Sequence, residues 1–210
     1  MYVPQAFRLD QAETLALAAA RGFGLVIACH QGRPIASPLP FWLEPGAQKN
    51  PRLEFHVARG NPLGDLAAEG GTWLVAVLGP DAYVSPDWYA SRDQVPTWLY
   101  ETAHLSGAVR VLSDDEKREH LDRLTARFES LLGSKPAWTV AGLLPARREV
   151  LLRSIVAIEM RVETVEGSAK FNQHKSDADH AAIVTALTGQ GDAGNAVAAR
   201  MRALRPHSTA

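Results

Sequence analysis

The chain has 210 residues, enough for one domain of moderate size or a core domain with a short appendage. Its 46% hydrophobic and 21% charged residues form a globular composition, which excludes a disordered or fibrous chain. Lysine and arginine total 22 against 23 acidic residues, so the net charge is −1 and the basic excess of a dedicated nucleic-acid binder is missing.

Asp10 with Glu13 three residues on makes a capping box, and Ala12, Leu15, Ala16 and Ala19 follow on one face, so a first helix is expected to run to Gly22. Phe23 to Cys29 is a continuous apolar run, and Gln31-Gly32 is a hairpin signal into a second strand from Ile35 to Leu43. Leu53-Glu54-Phe55-His56-Val57 alternates as a half-buried strand does. Asn61-Pro62 then places a capping side chain before a proline at the first helical position, which starts a short helix to Glu69.

Further along, Thr72 to Leu78 reads as a buried strand, Val109 to Leu112 as the end of another, and Ile155 to Val165 as a long β-branched one. Ser113 with Glu116 caps a helix through Leu132. These elements do not repeat as βαβ units, so the expected class is mainly β with peripheral helices, a β-barrel. Beyond residue 175, Ser176 and Asp179 cap a helix to Leu187, the glycines of 189–194 read as a flexible linker, and Asn195 starts a last helix to Leu204. The expected division is a barrel domain over 1–175 and a helical appendage over 176–210.

Several motifs are weak. Gly189, Gly191 and Gly194 have dinucleotide-site spacing, but no strand precedes them and no room follows for the ribose-binding acid. The seven histidines include no i, i+4 pair, and His174 with Asp177 and His180 lacks a ligand cage, so no metal is expected. No nucleophile elbow is present, Cys29 sits in an apolar strand pattern as a structural thiol, and no catalytic residue stands out. The single cysteine, the lack of an apolar run of ~18 residues and the uncharged start Met1-Tyr2-Val3-Pro4-Gln5 point to a cytoplasmic protein without a membrane span.

Two segments carry chemistry. Arg59 ends a strand just before Asn61 caps a helix, so a guanidinium and free helix amides lie side by side as a phosphate pocket; an ordinary capped turn with a surface arginine fits equally well. Between 80 and 100 the chain concentrates Pro80, Tyr83, Pro86, Trp88, Tyr89, Pro96, Trp98 and Tyr100, which reads as an interface or a wall for a planar ring.

On these residues the chain resembles the PaiB-type members of the FMN-binding split-barrel superfamily. The matching pieces are Met1-Tyr2-Val3-Pro4, His56-Val57-Ala58-Arg59-Gly60-Asn61-Pro62, the run from Gly79 to Tyr89, Val95-Pro96-Thr97-Trp98 with Tyr100, and Lys170 to Lys175. The chain departs from the usual pattern at Leu99, where asparagine is common, and at Pro38, where a histidine often precedes Leu-Pro.

The resemblance implies a six-stranded split barrel that forms a homodimer with FMN in the clefts, and cofactor-binding roles for Arg59, Asn61, His56, Lys170 and Gln173. It implies a flavin-dependent redox protein, with a nicotinamide or other electron donor, or a flavin-binding regulator. Two alternatives remain: a haem-binding split barrel with His56 or His174 as axial ligand, and a transcriptional regulator without a recognisable DNA-binding module. No direct nucleic-acid contact is expected.

Overall fold

The computed structural model describes residues 1–205 apart from 45, 47 and 48. Seven strands form one sheet: β1 (Arg8–Leu9), β2 (Phe23–His30), β3 (Arg33–Leu43), β4 (Arg52–Ala58), β5 (Thr72–Val84), β6 (Thr97–Val111) and β7 (Ile155–Lys170). Their order is β1-β7-β4-β3-β2-β5-β6, and a further β6–β7 pairing closes the sheet on itself, as a barrel must. The resemblance implies six strands; the sheet has seven, one of them the two-residue β1, too short to announce itself by alternation.

Six helices accompany the described strands: α1 (Gln11–Arg21), α2 (Pro62–Glu69), α3 (Asp114–Glu129), α4 (Pro145–Arg153), α5 (Asp177–Leu187) and α6 (Gly191–Leu204). The expected caps are present. Asp10 and Glu13 exchange side-chain-to-backbone bonds of 2.8 and 2.9 Å, Asn61 caps α2, and Ser113 with Glu116 caps α3. Helix α3 stops at Glu129, and Ser130–Leu132 continues as one 3-10 turn. Among the described residues no helix is long and apolar enough to cross a membrane.

Four sequence expectations change. The apolar run of β2 is not buried throughout: Gly24, Val26 and Ala28 face inward while Phe23, Leu25 and Cys29 are exposed, so Cys29 is not an interior thiol. Strands β5 and β7 outrun their expected ends by six and five residues, β5 continuing through Gly79-Pro80. Helix α4 was not foreseen, because its charged and apolar residues interleave without a stripe and Leu144 supplies no capping side chain. The glycine-rich stretch 189–194 is not a linker, since α6 already begins at Gly191. Gly194 is buried there, and a Cβ would stand 2.6 Å from the Leu187 carbonyl, so the residue permits close packing of α6 on the end of α5.

The chain divides into two compact units: one of Met1–Leu17, Leu78–Ala103 and the residues from Glu166 onward, the other of Ala18–Val77 and His104–Val165. In the first, Leu9, Val84, Tyr89, Leu99, Phe171, Ile183, Leu187, Val197 and Met201 form one buried cluster. Leu99 is fully enclosed in it, so the departure from asparagine at this position is absorbed by apolar packing. In the second, Val26, Phe41, Leu53, Phe55, Val75 and Ile158 are completely buried.

Candidate functional site

Strand β4 arranges the first candidate residues by simple alternation. Leu53, Phe55 and Val57 point into the core, which sends Glu54 and His56 to the opposite face. Helix α3 covers that face with Lys117, His120 and Leu124. His56 Nδ1 lies 3.1 Å from His120 Nε2, and His120 Nδ1 lies 3.3 Å from Glu54 Oε2, a close contact at an angle poor for a hydrogen bond. Arg123 Nη2 donates to both Glu54 oxygens, at 3.0 and 2.9 Å. Glu54 is 1% exposed and His120 not at all, so this is an enclosed polar row ending in a partly exposed guanidinium.

The electrostatics of the row follow from its burial. Burial pushes the Glu54 carboxyl up, but the nearby His120 and the Arg123 hydrogen bonds more than offset this and hold it below its ordinary value. Burial, reinforced by the neighbouring His120, lowers His56 to about 4. The ring is therefore neutral at pH 7. An ionised Glu54 attracts the His120 Nδ1 proton, which leaves His120 Nε2 to accept from His56 Nδ1–H. The remaining His56 Nε2 then carries a lone pair, a tautomer assigned from these contacts.

Arg59 and Asn61 follow at the end of β4, but their side chains turn to different neighbours. Arg59 donates from Nε to the Arg153 carbonyl at 2.6 Å and from Nη2 to the Ile155 carbonyl at 3.3 Å, at the start of β7. Asn61 caps α2 by accepting from Leu63 N at 3.0 Å and donates to Ser37 Oγ on β3 at 3.1 Å. The structure thus keeps the predicted cap and the exposed arginine, but engages Arg59 at the start of β7 and Asn61 on the middle of β3.

Beside Arg59 lies a cavity of about 140 Å³, lined also by Asp114, Lys117, Arg118, Glu149, Leu152 and Arg153. Asp114 is held by Lys117 at 2.8 Å and Glu149 by both Arg118 terminal nitrogens, so four cations face two acids already paired. The lining is basic and suits an anion the size of a phosphate. Lys117 and Arg118 carried no sequence signal of this role, because they lie on a charged helix some 60 residues from Arg59.

Lys170 and Gln173 belong to the other compact unit. Lys170 Nζ donates to Thr97 Oγ1 at 2.7 Å, and Gln173 folds back to accept from Phe171 N and donate to the Ala169 carbonyl. Between them Phe171 is buried, and Asn172 donates to Tyr89 Oη at 3.1 Å. These bonds make the segment from 170 to 173 a locked turn at the strand end.

The aromatic concentration splits in two. Tyr89 is buried and Trp88 packs on the same cluster, while Tyr83, Trp98 and Tyr100 are exposed, with the Tyr83 and Trp98 rings in an edge contact 6.2 Å apart. Strand alternation puts Trp98 and Tyr100 on the face opposite Leu99. His174 packs edge-on against Phe7, with centroids 5.5 Å apart. Among the described residues no group of three or more His, Cys, Asp or Glu converges on a metal position.

Comparison with known proteins places the chain in a family. Residues 1–164 match the family described as "Putative FMN-binding domain", and the chain belongs to it. It is 30% identical over 191 residues to the Bacillus subtilis protein named protease synthase and sporulation protein PAI 2, covering 90% of each. Among solved structures, it is similar to a FAD and heme binding protein from Mycobacterium smegmatis, with a TM-score of 0.58 and 25% identity, covering 82% of this chain and 78% of that one. A flavocytochrome from Azotobacter vinelandii shares the fold at TM-score 0.55 and 14% identity, covering 86% and 78%. The fold is therefore that of the flavin-binding split barrels.

Proposed function

We propose that this member of the FMN-binding domain family binds FMN with its phosphate in the basic cavity at Arg59 and acts as a flavin-dependent redox protein. The observation that carries the reading is the excess of cations around that cavity, on the turn that sequence reasoning selected independently. Nε and Nη2 of Arg59 are spent on carbonyls, which fixes the guanidinium and leaves its Nη1 corner for a phosphate oxygen. Lys117, only 7% exposed, adds a desolvated ammonium. Such fixed donors bind a dianion without reorganising.

Bound FMN would supply reversible two-electron chemistry, while the protein supplies position and electrostatics. A nicotinamide is the proposed electron donor. Lys170, Gln173, His56 and Asn61 remain in the proposed cofactor-binding set, Asn61 through the α2 cap beside Arg59. The exposed Tyr83, Trp98 and Tyr100, with Val95 and Leu78 in the same unit, support a homodimer, since exposed large apolar side chains of this kind are enriched at interfaces. The free, exposed Cys29 fits a reducing cytoplasm.

The test is a titration of the purified protein with FMN, followed by flavin absorbance and fluorescence. Saturable binding at one flavin per chain, with FMN preferred over riboflavin, is expected. Equal, non-saturating response to both flavins would reject the reading.

A further inference from the structure

Next to the polar row, and sharing His56 and Leu152 with the proposed flavin site, lies a cavity of about 310 Å³. Its wall is apolar, with Leu121 of α3, Leu151 of α4, and Trp138 and Leu143 of the segment between those helices. Four polar residues interrupt it: Thr125 and Ser154, which carry hydroxyls, and two nitrogen-bearing side chains. One of these two is His56, whose Nδ1 is committed to His120, so that Nε2 is the nitrogen left as an acceptor. The other is Arg148, whose buried Nε has no hydrogen-bond partner.

Among the described residues Arg148 has no carboxylate within ion-pair distance, and Glu149 acts on it only through space. That sequence neighbour is taken by Arg118 at 2.9 and 3.3 Å. A guanidinium with a buried, unpaired N–H costs free energy unless an acceptor arrives. In a largely apolar pocket of ligand size that holds a single cation, that acceptor is best supplied by the ligand.

We propose that this cavity binds a small aromatic carboxylic acid, with the carboxylate on Arg148, the ring against Trp138 and the leucines, and a hydroxyl donor on the ligand reaching His56 Nε2. The chemistry of the two polar ends selects this class. A neutral apolar ligand would leave Arg148 unpaired, and a phosphate would meet hydrocarbon walls in place of the cations grouped at Arg59. A haem has propionates for Arg148 and an iron for His56 Nε2, so it is the rival occupant, but the cavity lies at the low end of ligand-pocket volumes.

The experiment uses calorimetric titration of the full chain, saturated with FMN and free of it, with 4-hydroxycinnamate as the probe. Saturable binding is expected without FMN, and it should persist with FMN bound, since Arg148 and Trp138 lie outside the proposed flavin set. It should weaken about tenfold or more in Arg148→Met, as for loss of a charge-assisted pair, and comparably when 4-hydroxycinnamamide replaces the acid. Cinnamate, lacking the hydroxyl, should bind several-fold more weakly to the wild type. Far-UV circular dichroism controls for folding of the variant, and Leu143→Trp, which fills the cavity, provides a second route to abolished binding.

Equal affinity in Arg148→Met and wild type overturns the proposal, as does failure of both acids to bind. Displacement of the acid by FMN would assign the cavity to the flavin and also overturn it. A haemin titration that gives a sharp Soret band, lost in Leu143→Trp, would overturn it in favour of haem.

Discussion

His56 couples the enclosed polar row to the stability of the whole fold, and a single substitution exposes that coupling. In the folded protein the ring takes up a proton only near pH 4, because burial and the adjacent His120 oppose the charge, whereas in the unfolded chain it does so near 6.5. Between these values the unfolded chain binds more protons, so stability falls as the pH drops through that window. From about pH 7.5 to pH 5 the loss due to His56 amounts to about 2 kcal/mol, approaching 3 kcal/mol at pH 4. Substitution His56→Gln removes the titration but keeps an amide that can donate to His120. Urea unfolding of both proteins at the two pH values isolates the difference, since all other titrating groups are shared. Wild type should lose about 2 kcal/mol more than the variant on acidification. Parallel pH dependence in the two proteins would refute the burial argument.

Other perturbations test separate parts of the account. Arg123→Met leaves the buried Glu54 carboxylate beside His120 with only Arg52, 4.0 Å away, as a cation, and should cost about 2–3 kcal/mol at pH 7, seen as a clear drop in melting temperature. Gly107→Ala would set a Cβ 1.8 Å from the Arg161 carbonyl, where backbone must move, so the loss should reach ~3 kcal/mol or more, or soluble protein should disappear. Trp98→Asp places a charge on the exposed aromatic face, and light scattering should then report the 22.8 kDa chain mass where wild type reports twice that. A wild type that is itself monomeric at micromolar concentration would remove the dimer from the proposal.

What was legible in the sequence was mostly local. Asp10 with Glu13, Ser113 with Glu116 and Asn61-Pro62 are cap signals spanning four residues or fewer, and each marks a helix start in the structure. Alternation through Leu53, Phe55 and Val57 likewise gave the correct core face of β4. Signals failed where a tertiary neighbour decides. Gly79-Pro80 looks like a strand end, yet β5 passes through it, and the glycines of 189–194 look like a linker although α6 packs down on α5 there.

The site was partly hidden for the same reason. Arg59 could be chosen from its own turn, but His120 is 64 residues from His56, and neither carries a pattern naming the other. Lys117, Arg118 and Arg148 sit among charged helical residues that read as solvated faces, and only packing shows which of them border cavities. Arg200 sits close to Arg202 in α6 and carries no sequence signal of a buried partner, yet it donates to the buried Glu101 at 2.9 and 2.7 Å.

The central claim, phosphate recognition at Arg59, is tested most directly by titrating FMN and riboflavin into wild type and Arg59→Ala. The two flavins differ only in the phosphate, so a lost charge-assisted contact of about 1.5–3 kcal/mol should weaken FMN roughly ten- to a hundred-fold and leave riboflavin nearly unchanged. An equal loss for both flavins would mean that Arg59 serves only the Arg153 and Ile155 carbonyls it already holds, and would contradict the account.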